Sequence, residues 1–300
     1  MKFQIISFYL FAVAIGCSAA APFRLRDGDV VAFAGGTDMV RMQKAGVFEA
    51  ALTEEFQKEA PKFRDLAWEG DTVYFQSTVG ERWRKEAFGG WREQLQRVGA
   101  TVVVAQFGKM EALGGVERLD EFKRAYAELL DQFESDGRRV ILLEPADFEW
   151  DWADARALPD YRRAVAELAE QRGYPFAAGD PLAGVRDPRA STIAAVREKH
   201  RLWYDYWRPA NWKCLFGDDS KRIFSNAAEG LPSFKEEWES FPALIAAAEE
   251  KIKKGEVPSP KPPPQRSGSD EANVPEELAA FEVLDGYQVN LFADERHGVA

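Results

Sequence analysis

Thr37 is the first residue to weigh for chemistry. It ends the run Val30-Val31-Ala32-Phe33-Ala34-Gly35-Gly36-Thr37, in which a short apolar stretch passes straight into a Gly-Gly turn. Such a turn at the C-terminal edge of a parallel sheet is where α/β proteins place ligands and nucleophiles. A hydroxyl there can attack an acyl carbon if a base takes its proton and donors meet the developing oxyanion. The histidines available as base are His200 and His297. His200 lies in a helical stretch and could reach Thr37 only if that helix turns it inward; a lone helical histidine is more commonly a surface or edge residue. A second set of candidates is acidic: Asp38, Glu69, Asp71, Glu111, Glu144, Asp147 and Asp180 each follow a predicted strand. In a parallel sheet these converge on one rim, where carboxylate oxygens could hold a hard cation or a buried carboxyl could do acid–base work. The plainer reading is that loops of an acidic protein are acidic and that several of these residues cap helices. No pair is singled out by spacing, as glycosidase chemistry requires. No Cys/His cluster has metal-ligand spacing, so neither a cofactor nor a metal is expected.

Aromatic residues form a third signal. Phe148, Trp150 and Trp152 alternate with acids, and Trp203, Tyr204, Tyr206, Trp207 and Trp212 gather near Arg208. Exposed, they would suit flat amphipathic ligands such as sugars, or a neighbouring domain. The i, i+3 and i, i+4 spacing of the second group favours packing on one helix face.

The elements that must position these residues alternate along residues 24–255. Residues 30–34, 63–68, 101–107 (TVVVAQF), 139–143 (RVILL) and, weakly, 175–178 read as strands. The near-continuous apolar runs mark strands buried on both faces. Residues 40–60, 119–134, 159–172 and 191–207 have helical spacing, and 119–134 carries the stripe Phe122, Tyr126, Leu129, Leu130, Phe133. This alternation predicts a parallel sheet covered by helices on both sides, a three-layer α/β/α sandwich.

The order of these pieces resembles the SGNH (GDSL-type) hydrolase superfamily over about residues 28–250. Residues 31–38 (VAFAGGTD) stand where that family has its Gly-Asp-Ser-Leu turn. Residues 65–73 (DLAWEGDTV) look like its second block, with Gly70 on the block's glycine, and 102–111 (VVVAQFGKME) like its third. Residues 199–211 and 215–217 resemble a C-terminal segment of an exported bacterial subgroup that carries this domain ahead of a dehydrogenase-like β-propeller; residues 277–295 look like the start of that propeller. The resemblance implies a flavodoxin-like parallel sheet and ester hydrolysis, with Thr37 as nucleophile and Gly70 as a backbone donor. It also implies departures. Thr37 replaces the serine, Gly36 stands for the aspartate, and Met110 replaces the oxyanion-binding Asn, although a thioether donates no hydrogen bond. The late Asp-x-x-His is missing from residues 180–192. The resemblance therefore implies an eroded site, with Asp38, Glu69, Asp71, Met110 and Glu111 left as binding residues. The alternative is a working esterase or carbohydrate deacetylase using Thr37 with an unconventional base.

Composition bounds the rest. The chain has 300 residues, 46% of them hydrophobic, a net charge of −11 and a pI near 5.0. That supports a sizeable core and argues against a nucleic-acid surface. Residues 1–21 read as a signal peptide: Lys2, an apolar run over 5–15, then small residues. Two cleavage readings stand: a lipobox at Ala14-Ile15-Gly16-Cys17, leaving Cys17 lipidated as the sole membrane link, or ordinary cleavage among residues 19–21. Either makes the protein exported, to the periplasm or as an outer-membrane lipoprotein. Residues 258–264 (PSPKPPP) hold five prolines in seven and read as a stiff linker within 256–275. Residues 276–300 then open a module that they are too short to complete, or form a tail strand that packs back on the first domain. The expected partners are a small ester or carbohydrate ligand and that propeller-like module.

Overall fold

The structure, a computed structural model, describes residues 23–76, 83–149, 155–209, 212–221, 233–256, 279, 281–283, 286 and 288–290. The signal segment, Cys17, Trp150, Trp152, the polyproline run and His297 lie outside them. The chain forms two units, Met1–Pro258 and Ser259–Ala300. In the second, Phe281, Val283 and Val289 are exposed.

In chain order the first unit contains β1 (Val30–Gly35), α1 (Thr37–Ala45), α2 (Val47–Glu55), β2 (Lys62–Asp65), α3 (Trp83–Phe88), α4 (Trp91–Arg97) and β3 (Val102–Gln106). It continues with α5 (Leu119–Glu134), β4 (Arg139–Leu143), α6 (Leu158–Arg172), β5 (Phe176–Ala177), α7 (Ala190–Trp207), α8 (Trp212–Phe216) and α9 (Phe234–Lys254). All strand pairs are parallel, in the order β2-β1-β3-β4-β5. The period of two along each strand sends alternate residues into opposite layers. Val31, Phe33, Val102, Val104, Ile141 and Leu143 pack with Met39 and Val40 of α1 and Phe48 and Leu52 of α2. Ala32, Ala34, Val103, Ala105, Val140 and Leu142 pack with α4, α5 and α6 through Leu95, Tyr126, Leu130, Phe133 and Val165. Small alanines on this face of β1 leave room for the large side chains of α5. The three-layer parallel sandwich expected from the alternation is present.

Two boundaries differ. The predicted helix over 40–60 is two helices, broken at Gly46, whose φ of +72° closes α1 in the left-handed region. A Cβ there would also lie 2.9 Å from Arg197 Cγ on α7. Moreover, α1 begins at Thr37 itself. The second difference is β2, which ends at Asp65, although the amides of Leu66 and Trp68 still donate to the Phe33 and Gly35 carbonyls at 2.9 and 3.1 Å. The full length of α9 went unpredicted, yet its start carries a readable signal. Ser233 Oγ accepts from the Glu236 amide at 3.3 Å while the Glu236 carboxylate accepts from the Ser233 amide at 2.8 Å, a capping box.

The aromatic group at the end of α7 is core. Trp207 is 1% exposed and stacks on Phe88 at 4.1 Å and on Trp203 at 5.3 Å. Trp212 and Trp238 close around the same Phe88 ring. These residues tie α7, α8 and α9 to α3 and are no ligand platform.

Candidate functional site

The strand order places a switch point between β1 and β3, since the chain leaves β1 toward β2 and leaves β3 toward β4. Loops diverge there and open a crevice at the carboxyl ends of the strands. A cleft of about 560 Å³ occupies this place, lined among others by Thr37, Asp38, Gln106, Lys109, Met110 and Glu111.

Close approach of backbones shapes its floor. A Cβ on Gly35 would stand 2.7 Å from the Gln106 carbonyl oxygen, and one on Gly36 2.8 Å from the Asp71 carbonyl oxygen. Neither glycine is needed for a positive φ; both are needed because the turn after β1 is pressed against its neighbours. Gly36 caps α1 without a side-chain hydrogen bond, so Thr37 is the first residue of the helix, half-buried in the cleft.

The acids at the cleft are each engaged by the protein. Asp71 is buried, and both its oxygens accept from Arg84 Nη1, at 2.8 and 3.0 Å. Arg84 also donates to the Leu66 carbonyl at 3.1 Å and lies 4.4 Å over the Trp68 ring. Glu111 accepts from the Val73 amide on one oxygen and the Gly108 amide on the other, both at 2.9 Å. Burial pushes the Glu111 carboxyl up, against the pull of those amides. It thus anchors the second and third loops to each other. Lys109 is buried, its Nζ 2.9 Å from Asp38 Oδ1 and 5.4 Å over the Phe148 ring.

Thr37, Asp38, Asp71, Met110 and Glu111 therefore line one cleft. Glu69 and Gly70 do not line the cleft. Gly70 occupies an exposed turn with φ +83°, and Glu69 pairs with Lys44 at 3.4 Å. Gly70 thus stands on the second loop without facing Thr37. The rest of the acidic rim is dispersed among local partners: Glu144 accepts from the Gly179 amide, Asp147 pairs with Arg162, and Asp180 accepts from the Leu182 amide. Among the described residues no three metal-ligating side chains converge.

His200 is turned inward, but toward β2 rather than the cleft. It is buried, with Nε2 3.9 Å from Asp65 Oδ2, and Asp65 in turn accepts from Arg208 at 3.1 Å and from the Ala67 amide at 3.0 Å. Burial first, then Lys199, Arg208 and Lys44, lower its pKa to about 3 from an ordinary 6.5. A depressed folded-state pKa gives stability that is complete above about 6.5 and is lost as pH falls toward about 3. Burial raises the neighbouring Asp65 carboxyl, which offsets part of that loss. The expectation is that His200→Gln flattens the pH dependence of unfolding between those limits. Parallel curves for variant and parent would show that the imidazole carries no such linkage.

Reading by residue type missed Lys109, Gln106 and Arg84. Lys109 had a signal, since it stands between the glycine and the Asn position of the third block. Arg84 had none: its partner stands thirteen residues away in the sequence.

No protein-family model matches the sequence, and no curated protein does. Among solved structures, the acetylxylan esterase Axe2 from Geobacillus stearothermophilus is similar over 79% of this chain and all of its own, at 15% identity and a TM-score of 0.37. The psychrotrophic esterase EstA from Pseudoalteromonas sp. aligns over 60% of this chain and 98% of its own, at 12% identity and a TM-score of 0.38. Those proteins are esterases; at such identity and overlap the likeness carries no argument about the chemistry of this cleft.

Proposed function

We propose that this chain is an SGNH-type, hydrolase-like domain whose cleft binds a small ester or carbohydrate ligand without efficient turnover. The reading rests on the motif order in the sequence and on one observation at the site. Among the described residues no histidine lines the cleft, and its carboxylates are held by Arg84, by Lys109 and by two backbone amides. A base must reach the nucleophile's proton, and groups committed to holding loops are poorly placed to do so. The lost Asn donor at Met110 alone would cost roughly 10²–10³ in rate. Export, a lipid anchor at Cys17 and a following propeller module belong to the same proposal and rest on sequence resemblance.

The test is hydrolysis of short-chain p-nitrophenyl esters and acetylated xylooligosaccharides by the full chain and by Thr37→Ala. The expected result is no turnover that the substitution removes. Turnover abolished in Thr37→Ala would sink the binding-module reading.

One observation favours a second reading. Lys109 is a buried amine held against Asp38, the residue next to Thr37, and hydroxyl–lysine pairs serve as nucleophile and base on other folds. Under that reading Lys109→Met abolishes turnover as completely as Thr37→Ala does.

A further inference from the structure

A second concavity lies at the start of β2, between α2, α7 and α9, and shares no lining residue with the cleft. It is open to solvent and has a volume of about 790 Å³. Its floor is a buried ion pair: Lys199, 3% exposed, donates to Glu49, 4% exposed, at 2.5 Å, and to the Phe63 carbonyl at 3.3 Å. Glu54 stands one turn further along α2. Its Oε1 accepts from the Thr192 hydroxyl and from the Arg189 backbone and side chain. Ala60 on the rim has φ +46°.

Two of these features are costly for a fold to keep. A buried ion pair is weak evidence for stability, because apolar side chains of equal volume serve as well or better. A non-glycine residue in the left-handed region is strained, and such strain gathers at binding sites. We infer that this groove is a separate ligand site and that it takes a neutral polyhydroxylated molecule of the saccharide type.

The chemistry of the floor selects the class. Lys199 spends two of its ammonium's three N–H groups on Glu49 and Phe63. Among the described residues no donor reaches Glu49 Oε2 or Glu54 Oε2. A donor and acceptors thus stand side by side. A ligand ammonium there would meet Lys199 and Arg189, and a ligand carboxylate would meet Glu49 and Glu54. A hydroxyl suits both, accepting from the ammonium and donating to the carboxylate. Charge agrees, because the acids of the lining, Glu49, Glu54, Glu249 and Glu250, are balanced by its bases, Lys62, Arg189, Lys199 and Lys253. Ile252 and Pro61 add apolar wall for the C–H face of a ring.

The experiment is an NMR titration of the uniformly labelled full chain with cellobiose, xylobiose, spermidine and citrate. The expected result is saturable shifts of the Thr53, Glu54 and Ile252 amides with a disaccharide only. Thr53→Trp, which fills the groove from α2, should weaken that binding by about tenfold or more, with the dispersed spectrum reporting that the variant is folded. Thr37→Ala, in the cleft, should leave it unchanged. Saturation by spermidine or citrate instead, shifts confined to the cleft, or no saturable shift with either disaccharide would overturn the assignment.

Discussion

Arg84→Ala is expected to lower the unfolding free energy by about 3–5 kcal/mol, the cost of removing one partner from a buried ion pair. The Arg84 side chain is 1% exposed and that of Asp71 0%. Deleting the guanidinium leaves Asp71 charged and dry, removes a donor from the Leu66 carbonyl, and takes a cation from the faces of Trp68 and Trp91. Burial pulls the Arg84 guanidinium down, and Asp71 foremost opposes it. Urea unfolding of the variant measures the loss. Replacing both residues, in Asp71→Asn with Arg84→Met, should recover much of it, because the buried carboxylate's charge is removed with its cation. A loss below about 1 kcal/mol in the single variant, the range of exposed pairs, would mean that water reaches Asp71 and that the pair does not anchor the cleft wall.

Gly36→Ala is expected to cost about 1–3 kcal/mol through overpacking, and to distort the cleft. The new Cβ would stand 2.8 Å from the Asp71 carbonyl oxygen, and that carbonyl belongs to a loop fixed from below by Arg84. Backbone cannot swing aside as the end of a side chain can, so the turn carrying Thr37 must move. The same reasoning covers Gly36→Asp, which would rebuild the aspartate of the Gly-Asp-Ser-Leu turn that this chain resembles. It should destabilise and create no hydrolysis. Urea midpoints together with ester turnover check both variants; a Gly36→Asp protein as stable as the parent would show that the Asp71 loop yields, and the crowding argument would fail.

The two predictions meet at the loop 66–73, which shows how the parts of the site differ in legibility. Apolar periodicity announced β1, β3, β4, α5 and α6 because each buries a regular face, and that regularity is written residue by residue. The Gly-Gly-Thr turn was legible for the same local reason: an apolar strand followed by glycines must bend at the sheet edge. The helix break at Gly46 was not, because it depends on Arg197 from α7, about 150 residues away, coming close to the turn. His200 shows the same limit. Its helix was predicted, but which of its faces meets β2 depends on how α7 is seated against α1, α2 and α9.

Residue order alone thus determined the class of fold and the parallel alternation of its elements; of the acids it set on one rim, Asp38, Asp71 and Glu111 line the cleft beside Thr37 and Met110, whereas Glu69, Glu144, Asp147 and Asp180 have local partners elsewhere. Tertiary structure alone decided what those side chains are free to do. It gave Asp71 to Arg84, Glu111 to two amides and Asp38 to Lys109, and it buried His200 beneath β2, because hydrogen-bond partnership is settled by distances across the fold that no local pattern encodes.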